Sequence, residues 1–265
     1  MLENEAFIRL ASFLGLAIGF GAMEALFPRR EQISDRLHRW LGNLGLVAVS
    51  AGLVRLLFPV LPVTLAVVAE KQNWGLLSIV HAPYPLALLT SILVLDLAIY
   101  FQHWAFHVWR PLWMLHRVHH ADTAFDFTTG NRFHPLEIML SMIFKLALVL
   151  LLGPPAFAVL LFEVMLNGLS MFNHANIAIP VGMDKYLRLL VVTPDMHRVH
   201  HSTDRREANH NFGFNLPWWD RIFATYKAQP RLGHETMPIG LTIFRERKYG
   251  SLPRLLALPF IKPGK

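Results

Sequence analysis

The chain has 265 residues, of which 54% are hydrophobic and only 16% are charged. An average soluble domain is about one-quarter charged, so this composition indicates a membrane protein and gives no sign of a nucleic-acid partner. The absence of cysteine excludes disulfide bonds, iron–sulfur ligation and a thiolate nucleophile. The net charge of +7 comes from residues 175–265, which hold fourteen Lys/Arg and seven Asp/Glu.

Five apolar runs are candidates for membrane helices, and they lie at residues 6–27, 41–62, 85–107, 137–152 and 156–173. The first run is expected to be a retained anchor, because acidic residues precede it and no small-residue cleavage site follows. Residues 63–84 carry charges and a tight turn, which predicts an interfacial or re-entrant piece. Gly153-Pro154-Pro155 joins the last two runs into a predicted hairpin that dips into the membrane from one side. More polar residues follow position 175 and predict short helices and loops, with the apolar segment 252–261 on the membrane surface.

The distribution of basic residues predicts the orientation in the membrane. The loop after the first run carries Arg29, Arg30, Arg36 and Arg39. The positive-inside rule places this loop in the cytoplasm. Following the runs in order then brings residues 103–134 and 197–201 to that same face. We therefore predict an all-α integral membrane bundle of about four to five membrane helices, with a cytoplasmic helical cap, as a single domain over residues 1–265.

Histidines recur at helical spacing in one HWAFH sequence and two HRVHH sequences. Positions i, i+3 and i+4 of a helix share one face, so each sequence presents its histidines together. The eight are His103, His107, His116, His119, His120, His197, His200 and His201. Buried imidazoles need partners, and eight of them require either eight separate acceptors or shared metal ions. Since histidine is the commonest metal ligand, the pattern predicts a metal centre.

Further motifs accompany these histidines between Asp96 and Tyr226. They are NRFHPLE at 131–137, FNHAN at 172–176, TPDMHRVHH at 193–201 and NHNFGFNLPWWDRIFATY at 209–226. Together with the histidine boxes, this set resembles the fatty acid hydroxylase/sterol desaturase superfamily of integral membrane di-iron oxygenases. About half of the chain, residues 96–226, carries the resemblance.

The resemblance implies a four-helix membrane scaffold and a histidine-rich dimetal site on the cytoplasmic side. Two iron ions there would activate O2 and hydroxylate a lipid or sterol-like substrate. The resemblance also implies His174 as a ninth ligand. His134 is either a tenth ligand or a hydrogen-bond donor to a ligand, and the sequence leaves both open. Imidazole suits zinc, copper and nickel as well as iron, and purified protein can carry zinc.

Three alternative functions remain open from the sequence. A lipid desaturase would use the same ligand set and differ only in where the C–H bond lies. A zinc-dependent membrane hydrolase would need neither O2 nor a reductant. A non-catalytic metal- or lipid-binding membrane protein would hold metal without oxidising a substrate.

Several polar residues are predicted to support the site. Ligating histidines usually donate their second ring N–H to an acceptor. Candidates for such roles around the ligands are Asp96, Asn131, Glu137, Asp195 and Asp220. Asp96 shares one helix face with Tyr100, His103 and His107, and a carboxylate inside a membrane is expensive enough to indicate function.

The other polar residues receive structural roles. Glu163 lies deep in the fifth run, where it is either functional or a partner of Lys145 across the hairpin. A pair between Arg132 and Glu137 is also possible. His210 is expected to form hydrogen bonds in a loop. The isolated histidines, expected at the surface or at an interface, are His38, His81 and His234.

An oxygenase needs electrons, and this chain has no glycine-rich dinucleotide fingerprint and no haem-attachment motif. We therefore expect a separate electron donor, such as a ferredoxin or a cytochrome with its reductase. The basic region 175–265 can dock an acidic donor. Attraction to anionic lipid headgroups explains the same charge equally well.

Overall fold

The computed structural model describes residues 4–31 and 35–262, so the predicted single domain extends beyond them at both ends. These residues form helices and loops, with two isolated β-bridges and no strand. The α-helices are α1 (Glu5–Leu26), α2 (Arg36–Leu57), α3 (Pro62–Gln72), α4 (Leu76–Ile79), α5 (Tyr84–Val108), α6 (Arg110–His120), α7 (Pro135–Leu152), α8 (Ala156–Asn173), α9 (Val181–Leu187), α10 (Pro194–His200), α11 (Arg205–Ala208), α12 (Trp218–Ile222) and α13 (Leu252–Ala257).

Within the described residues, five segments are long and apolar enough to cross a membrane, which confirms the predicted all-α membrane architecture. They are α1, the segment Arg36–Ile79 that begins with α2, α5, α7 and α8. Helices α7 and α8 have 18 residues each. At 1.5 Å per residue each is about 27 Å long, close to the thickness of the hydrocarbon core. Each helix of the hairpin is therefore long enough to reach across the bilayer, whereas the sequence predicted a short hairpin that dips into the membrane from one side.

One end of the helices gathers all the motifs that the sequence singled out. The carboxylate of Glu24, near the end of α1, accepts the backbone N–H groups of Phe127 at 2.7 Å and Asn176 at 2.9 Å. Arg39, at the start of α2, donates to Asp122 just after α6. The arginine-bearing loop and the histidine boxes thus lie at the same end of the bundle, which we call the histidine end.

The opposite end is closed by two glycines in close contact. Gly153 ends α7 in the left-handed region at φ +65°, and a Cβ there would lie 2.2 Å from the carbonyl oxygen of Trp74. Gly75 has φ +91°, and its Cβ would lie 2.2 Å from the Gly153 nitrogen. The segment 63–84, predicted as an interfacial or re-entrant piece, therefore folds as α3 and α4 against the tip of the α7–α8 hairpin.

Replacing Gly153 by alanine should destabilise the protein by about 2 kcal/mol or more. The alanine would carry left-handed strain and a contact with fixed backbone atoms. Gly52→Ala is the matched control, because a Cβ at Gly52 meets nothing within 4 Å. Thermal unfolding in one detergent compares the two variants, and an equal melting temperature for both would contradict this account of the hairpin tip.

The C-terminal apolar segment packs on the protein. Leu255 and Leu258 are fully buried, and they join Leu46 of α2 and Val118 of α6 in one core cluster. The segment predicted to lie on the membrane surface thus covers the outer side of the first HRVHH box, on α6. The apolar side chains of this segment pack against α6, because Val118 lies on the face of α6 opposite the histidines.

Candidate metal centre

Nine histidines meet at the histidine end and divide into two groups. Within each group, one ring nitrogen from every member lies within 4.8 Å of the others. The first group is His103, His107, His116, His120 and His200, and the second group is His119, His174, His197 and His201. Both groups are fully buried except for His107, which is partly exposed. The structure thus brings together all eight box histidines and His174.

Each HRVHH box contributes to both groups. In α6 the i and i+4 histidines, His116 and His120, belong to the first group, and the i+3 histidine His119 belongs to the second. The second box reverses this division and sends only His200 to the first group. Residues i and i+4 of a helix are about 40° apart around its axis, whereas i+3 lies on the other side of i. One helical turn can therefore serve two adjacent metal positions.

Local sequence explains why these short helices begin where they do. Trp109 is extended and Pro111 occupies the first turn of α6, so the chain bends between His107 and His116. Thr193 caps α10 by accepting the N–H of Met196, and Pro194 takes the first helical position. The bends place the histidines of α5, α6 and α10 around one centre.

Four histidines are held by a hydrogen bond of 2.7 Å through Nδ1. The acceptor is the carbonyl oxygen of Phe212 for His103, the Glu137 carboxylate for His116, the carbonyl oxygen of Ser170 for His174 and that of His210 for His200. Each ring then keeps a lone pair on Nε2. Among the described residues, His103, His116 and His200 find no hydrogen-bond partner for this buried Nε2. Buried nitrogens without partners, with the opposite nitrogen fixed, fit a metal ligand.

The second group is tightest around His174. Its Nε2 lies 3.1 Å from the Nε2 of His119 and 3.1 Å from that of His201. Nitrogens that share one ion at about 2.0–2.1 Å are roughly 3.0–3.4 Å apart. His197 completes this group, and neither of its ring nitrogens has a partner in the described part of the chain. The spacing therefore fits a single ion among these rings.

Burial keeps these imidazoles neutral. It lowers the pKa of His116 and of His174 to about 3. Burial, followed by repulsion between neighbouring rings, also lowers the pKa of the other histidines on α6 and in the second box well below the ordinary value. A metal ligand must offer a lone pair, so neutral imidazole is the form that binding requires.

The predicted supporting residues occupy different positions relative to the groups. Glu137 contacts His116 directly. Asp220 accepts the backbone N–H groups of Phe212 at 2.8 Å and Gly213 at 2.9 Å, and so fixes the carbonyl that holds His103. Asp96 accepts from Trp219 Nε1 at 2.8 Å and pins the same loop to α5. Two of the three carboxylates thus act through the loop of residues 209–226.

Three other predicted residues lie away from the ligating nitrogens. His134 caps α7 with Nδ1, its Nε2 is 3.1 Å from the carbonyl oxygen of Leu256, and it joins neither group. Asp195 binds Arg198 and Arg29, and contacts no histidine of the two groups. Asn131 accepts from Asn167 at 3.2 Å. The possible pair of Arg132 with Glu137 is wrong, because Arg132 instead donates to the carbonyl of Val118 at 2.8 Å.

The remaining histidines take structural positions. His81 is exposed, and His38 lies at the surface with Nε2 3.1 Å from the carbonyl oxygen of Arg247. His210 lies in a loop, as predicted, and its backbone carbonyl holds His200. His234 was expected at the surface or at an interface, and it is buried and bonds to Gln229 at 2.8 Å.

Sequence reasoning missed a buried ionic network beside the first HRVHH box, which lies on α6. Arg39 donates to Asp122 at 2.7 and 2.8 Å and to Asp126 at 2.7 Å. Asn43, one turn further along α2, donates to Thr128 at 2.9 Å. Burial favours the neutral form of Asp122, but Arg39 and Arg132 outweigh it and hold its pKa well below the ordinary value. The available signal was Arg39 and Asn43 at i and i+4 on one face of α2.

A cavity of about 410 Å³ begins at the first histidine group and runs between the membrane helices. His103, His116 and Phe133 line its end at the metal centre, and apolar residues such as Val54 and Ile99 line its length. Its volume lies within the usual range for a pocket that holds one small ligand. The cavity therefore gives an apolar chain direct access to the first group.

Replacing Glu137 by alanine should weaken metal binding about 10- to 100-fold. His116 would lose the acceptor that fixes its ring, and loss of such outer partners has effects of this size. Competition with a chelator measures the affinity. Glu70→Ala, an exposed carboxylate on α3, is the control that should change nothing. Unchanged affinity in Glu137→Ala would show that the carboxylate does not position the ligand.

Comparison with known proteins identifies the relatives and the family of this chain. The chain is 29% identical to ornithine lipid hydroxylase OlsE of Rhizobium tropici, over 69% of this chain and 53% of that protein. It is 28% identical to human alkylglycerol monooxygenase, over 74% of this chain and 43% of that protein. The chain thus spans about half the length of these curated relatives, and no solved structure matches it.

Residues 88–225, just over half of the chain, match the family model described as fatty acid hydroxylase. This matched range includes every histidine of the two groups. The chain therefore belongs to the fatty acid hydroxylase family, as its motifs predict.

Proposed function

We propose that this protein is a membrane-bound non-haem di-iron oxygenase that hydroxylates a lipid or sterol-like substrate. One observation carries the proposal: two buried histidine groups present free ring nitrogens at the end of an apolar cavity between membrane helices. The family supports an oxygenase, and the names of the relatives describe a lipid hydroxylase and a monooxygenase.

In this proposal the first group holds one ion and the second group holds the other. Two bound iron ions would supply O2 activation and oxidation of an unactivated C–H bond. The overall reaction converts a C–H bond, O2, two electrons and two protons into a C–OH group and water. Neutral imidazoles allow the ions to sit beneath an apolar cavity without the extra desolvation of many carboxylates.

The residues of this chain position the ligands and the substrate. Glu137 and the carbonyl of Phe212 fix the rings of His116 and His103, which stand at the end of the cavity. Phe133 stacks on His119 with ring centroids 4.6 Å apart and lines the cavity beside the groups. Apolar walls exclude water and hold a chain with its C–H bonds toward the centre.

We further propose that the metal centre faces the cytoplasm and receives electrons from a separate protein. The arginine-bearing loop lies at the histidine end, and the positive-inside rule favours the cytoplasm for that end. Residues 175–265, which carry the whole net charge, also contribute the second HRVHH box to that end. An acidic ferredoxin or a cytochrome, with its reductase, fits this surface.

The test is to count metals and then to follow oxygen. Gently purified protein should contain about two irons per chain, and with O2, a reductant system and membrane lipid it should form a hydroxylated product that carries oxygen from O2. If the purified protein contains zinc, the zinc is removed and the protein is reconstituted with Fe(II) before activity is measured. Protein that holds two irons and oxidises no lipid, or that holds no metal after reconstitution, would contradict the proposal.

A further inference from the structure

The cavity has a second polar end, deep between the membrane helices. Lys145 of α7 donates to Glu163 of α8 at 2.5 Å, as the sequence allowed. Arg9 of α1 donates to the other oxygen of Glu163, also at 2.5 Å. All three side chains line the cavity. Placing charged side chains at this depth costs free energy, and apolar residues could join the helices without that cost. The presence of these charges therefore indicates a function.

The hydrogen-bond inventory of this cluster shows what it can bind. The Lys145 ammonium has three N–H donors and uses one of them on Glu163. Arg9 uses Nε on Glu5 and Nη2 on Glu163, so its Nη1 donors remain. Glu163 already accepts from two cations. The groups left over are therefore donors, which need an acceptor oxygen.

The cavity wall between the two ends carries further polar atoms. Ser50 of α2 is buried to about nine-tenths and its Oγ has no hydrogen-bond partner in the described residues. The Oε1 of Gln102 is also buried without a partner. Both residues line the cavity, yet most of its wall is apolar. This pattern fits an apolar chain with a polar terminus better than a plain hydrocarbon.

We propose that Lys145 and Arg9, held by Glu163, bind the acceptor oxygen at the polar end of a single-chain lipid whose apolar chain runs along the cavity to the first histidine group. Glu137, beside His116, and Lys145 are eight residues apart on α7, so the two ends of the cavity are about 12 Å apart along the helix. The cluster thus sets the distance from the polar end at which a carbon meets the metal centre. This inference rests on the proposed function, since it takes the bound chain as the substrate.

Binding to the wild-type protein gives the first test. Full-length protein in nanodiscs is titrated with dodecanoic acid, dodecanol and dodecane, each corrected for partition into protein-free nanodiscs. Hydrogen bonds to charged donors contribute enough to predict about ten- to hundredfold tighter binding of the acid than of dodecane. Comparing dodecanol with dodecanoic acid shows whether the site prefers a neutral or an anionic oxygen. Tighter binding of either compound than of dodecane supports the proposal. Equal affinities for all three chains would overturn it, whatever any variant does.

Variants locate the contact. Lys145→Met should lower the affinity for dodecanoic acid about tenfold or more while leaving dodecane unchanged, and Lys145→Arg should restore most of it. Lys71→Met makes the same change on an exposed lysine of α3 and should have no effect. Unchanged metal content shows that the variant is folded. A folded Lys145→Met protein with wild-type affinity for the acid would overturn the assignment.

Product analysis separates this inference from the proposed function. If iron-loaded protein binds the acid selectively but oxidises no lipid, the binding site stands and the proposed function fails. If the protein hydroxylates lipids but shows no preference for a polar end, the inference fails alone. If the inference and the proposed function are both correct, the oxidised carbon should lie at a fixed distance from the polar end of the lipid. Lys145→Met should then give products hydroxylated at a wider range of carbons.

Discussion

Replacing His200 by alanine is expected to abolish turnover and to remove about one of the two metal ions. His200 is the only member of the second HRVHH box in the first group, and its Nδ1 is fixed by the carbonyl of His210. Loss of this ring opens the first group at the end of the cavity. His119→Ala should likewise abolish turnover, but it should deplete the ion of the second group. Metal analysis per chain, beside turnover, checks both expectations.

His134→Ala is the matched control, because His134 lies in neither group. It should keep both ions and lose the cap of α7 and the hydrogen bond to the Leu256 carbonyl, each worth about 1 kcal/mol. Wild-type turnover with full metal content in His200→Ala or His119→Ala would contradict the ligand assignment. Loss of an ion in His134→Ala would instead restore the reading of that residue as a tenth ligand.

The histidine centre could be predicted far more completely than its surroundings. Helical spacing within HWAFH and HRVHH is a local property, and the order of apolar runs is sufficient to bring the boxes to one end. Glu137 was also within reach, since it follows the NRFH motif at the start of a predicted helix. These features depend on short-range geometry that every α-helix shares.

The division of the rings into two groups could not be predicted in the same way. It depends on how α6 and α10 are rotated about each other, and residues far along the chain set that rotation. Asp195 illustrates the difficulty, because its position beside His197 suggests a ligand partner, whereas in the fold it binds Arg29 from the first loop. The role of His210 also escaped, since it acts through its backbone carbonyl and not through its ring.

Arg39 is the most informative residue that the sequence left unexplained. Its charge served to orient the membrane helices, and nothing local connects it to Asp122 more than eighty residues later. In the fold, its guanidinium joins α2 to the loop that follows the first HRVHH box. A buried cation with two carboxylates in good geometry is costly to break, because removing one partner leaves the others unpaired.

Asp122→Ala is therefore expected to destabilise the protein by roughly 3–5 kcal/mol. Arg39 and Asp122 are both buried, and two hydrogen bonds of 2.7 and 2.8 Å join them. The exposed pair of Arg247 with Asp35 is the matched control, and Arg247→Ala should change stability little. Thermal or denaturant unfolding compares the variants, and a double-mutant cycle with Arg39→Met isolates the pair.

The same change should reach the metal centre, because Asp122 lies two residues after His120. If the network holds the loop against α2, its loss loosens the end of α6 and lowers occupancy of both groups, since α6 supplies rings to each. Arg39→Met should do the same from the opposite side of the pair. Instability with full metal content would confine the network to folding, and unchanged stability in Asp122→Ala would contradict its structural role. Loss of both stability and metal would show that Arg39, which was used to orient the chain in the membrane, also holds the first HRVHH box in place.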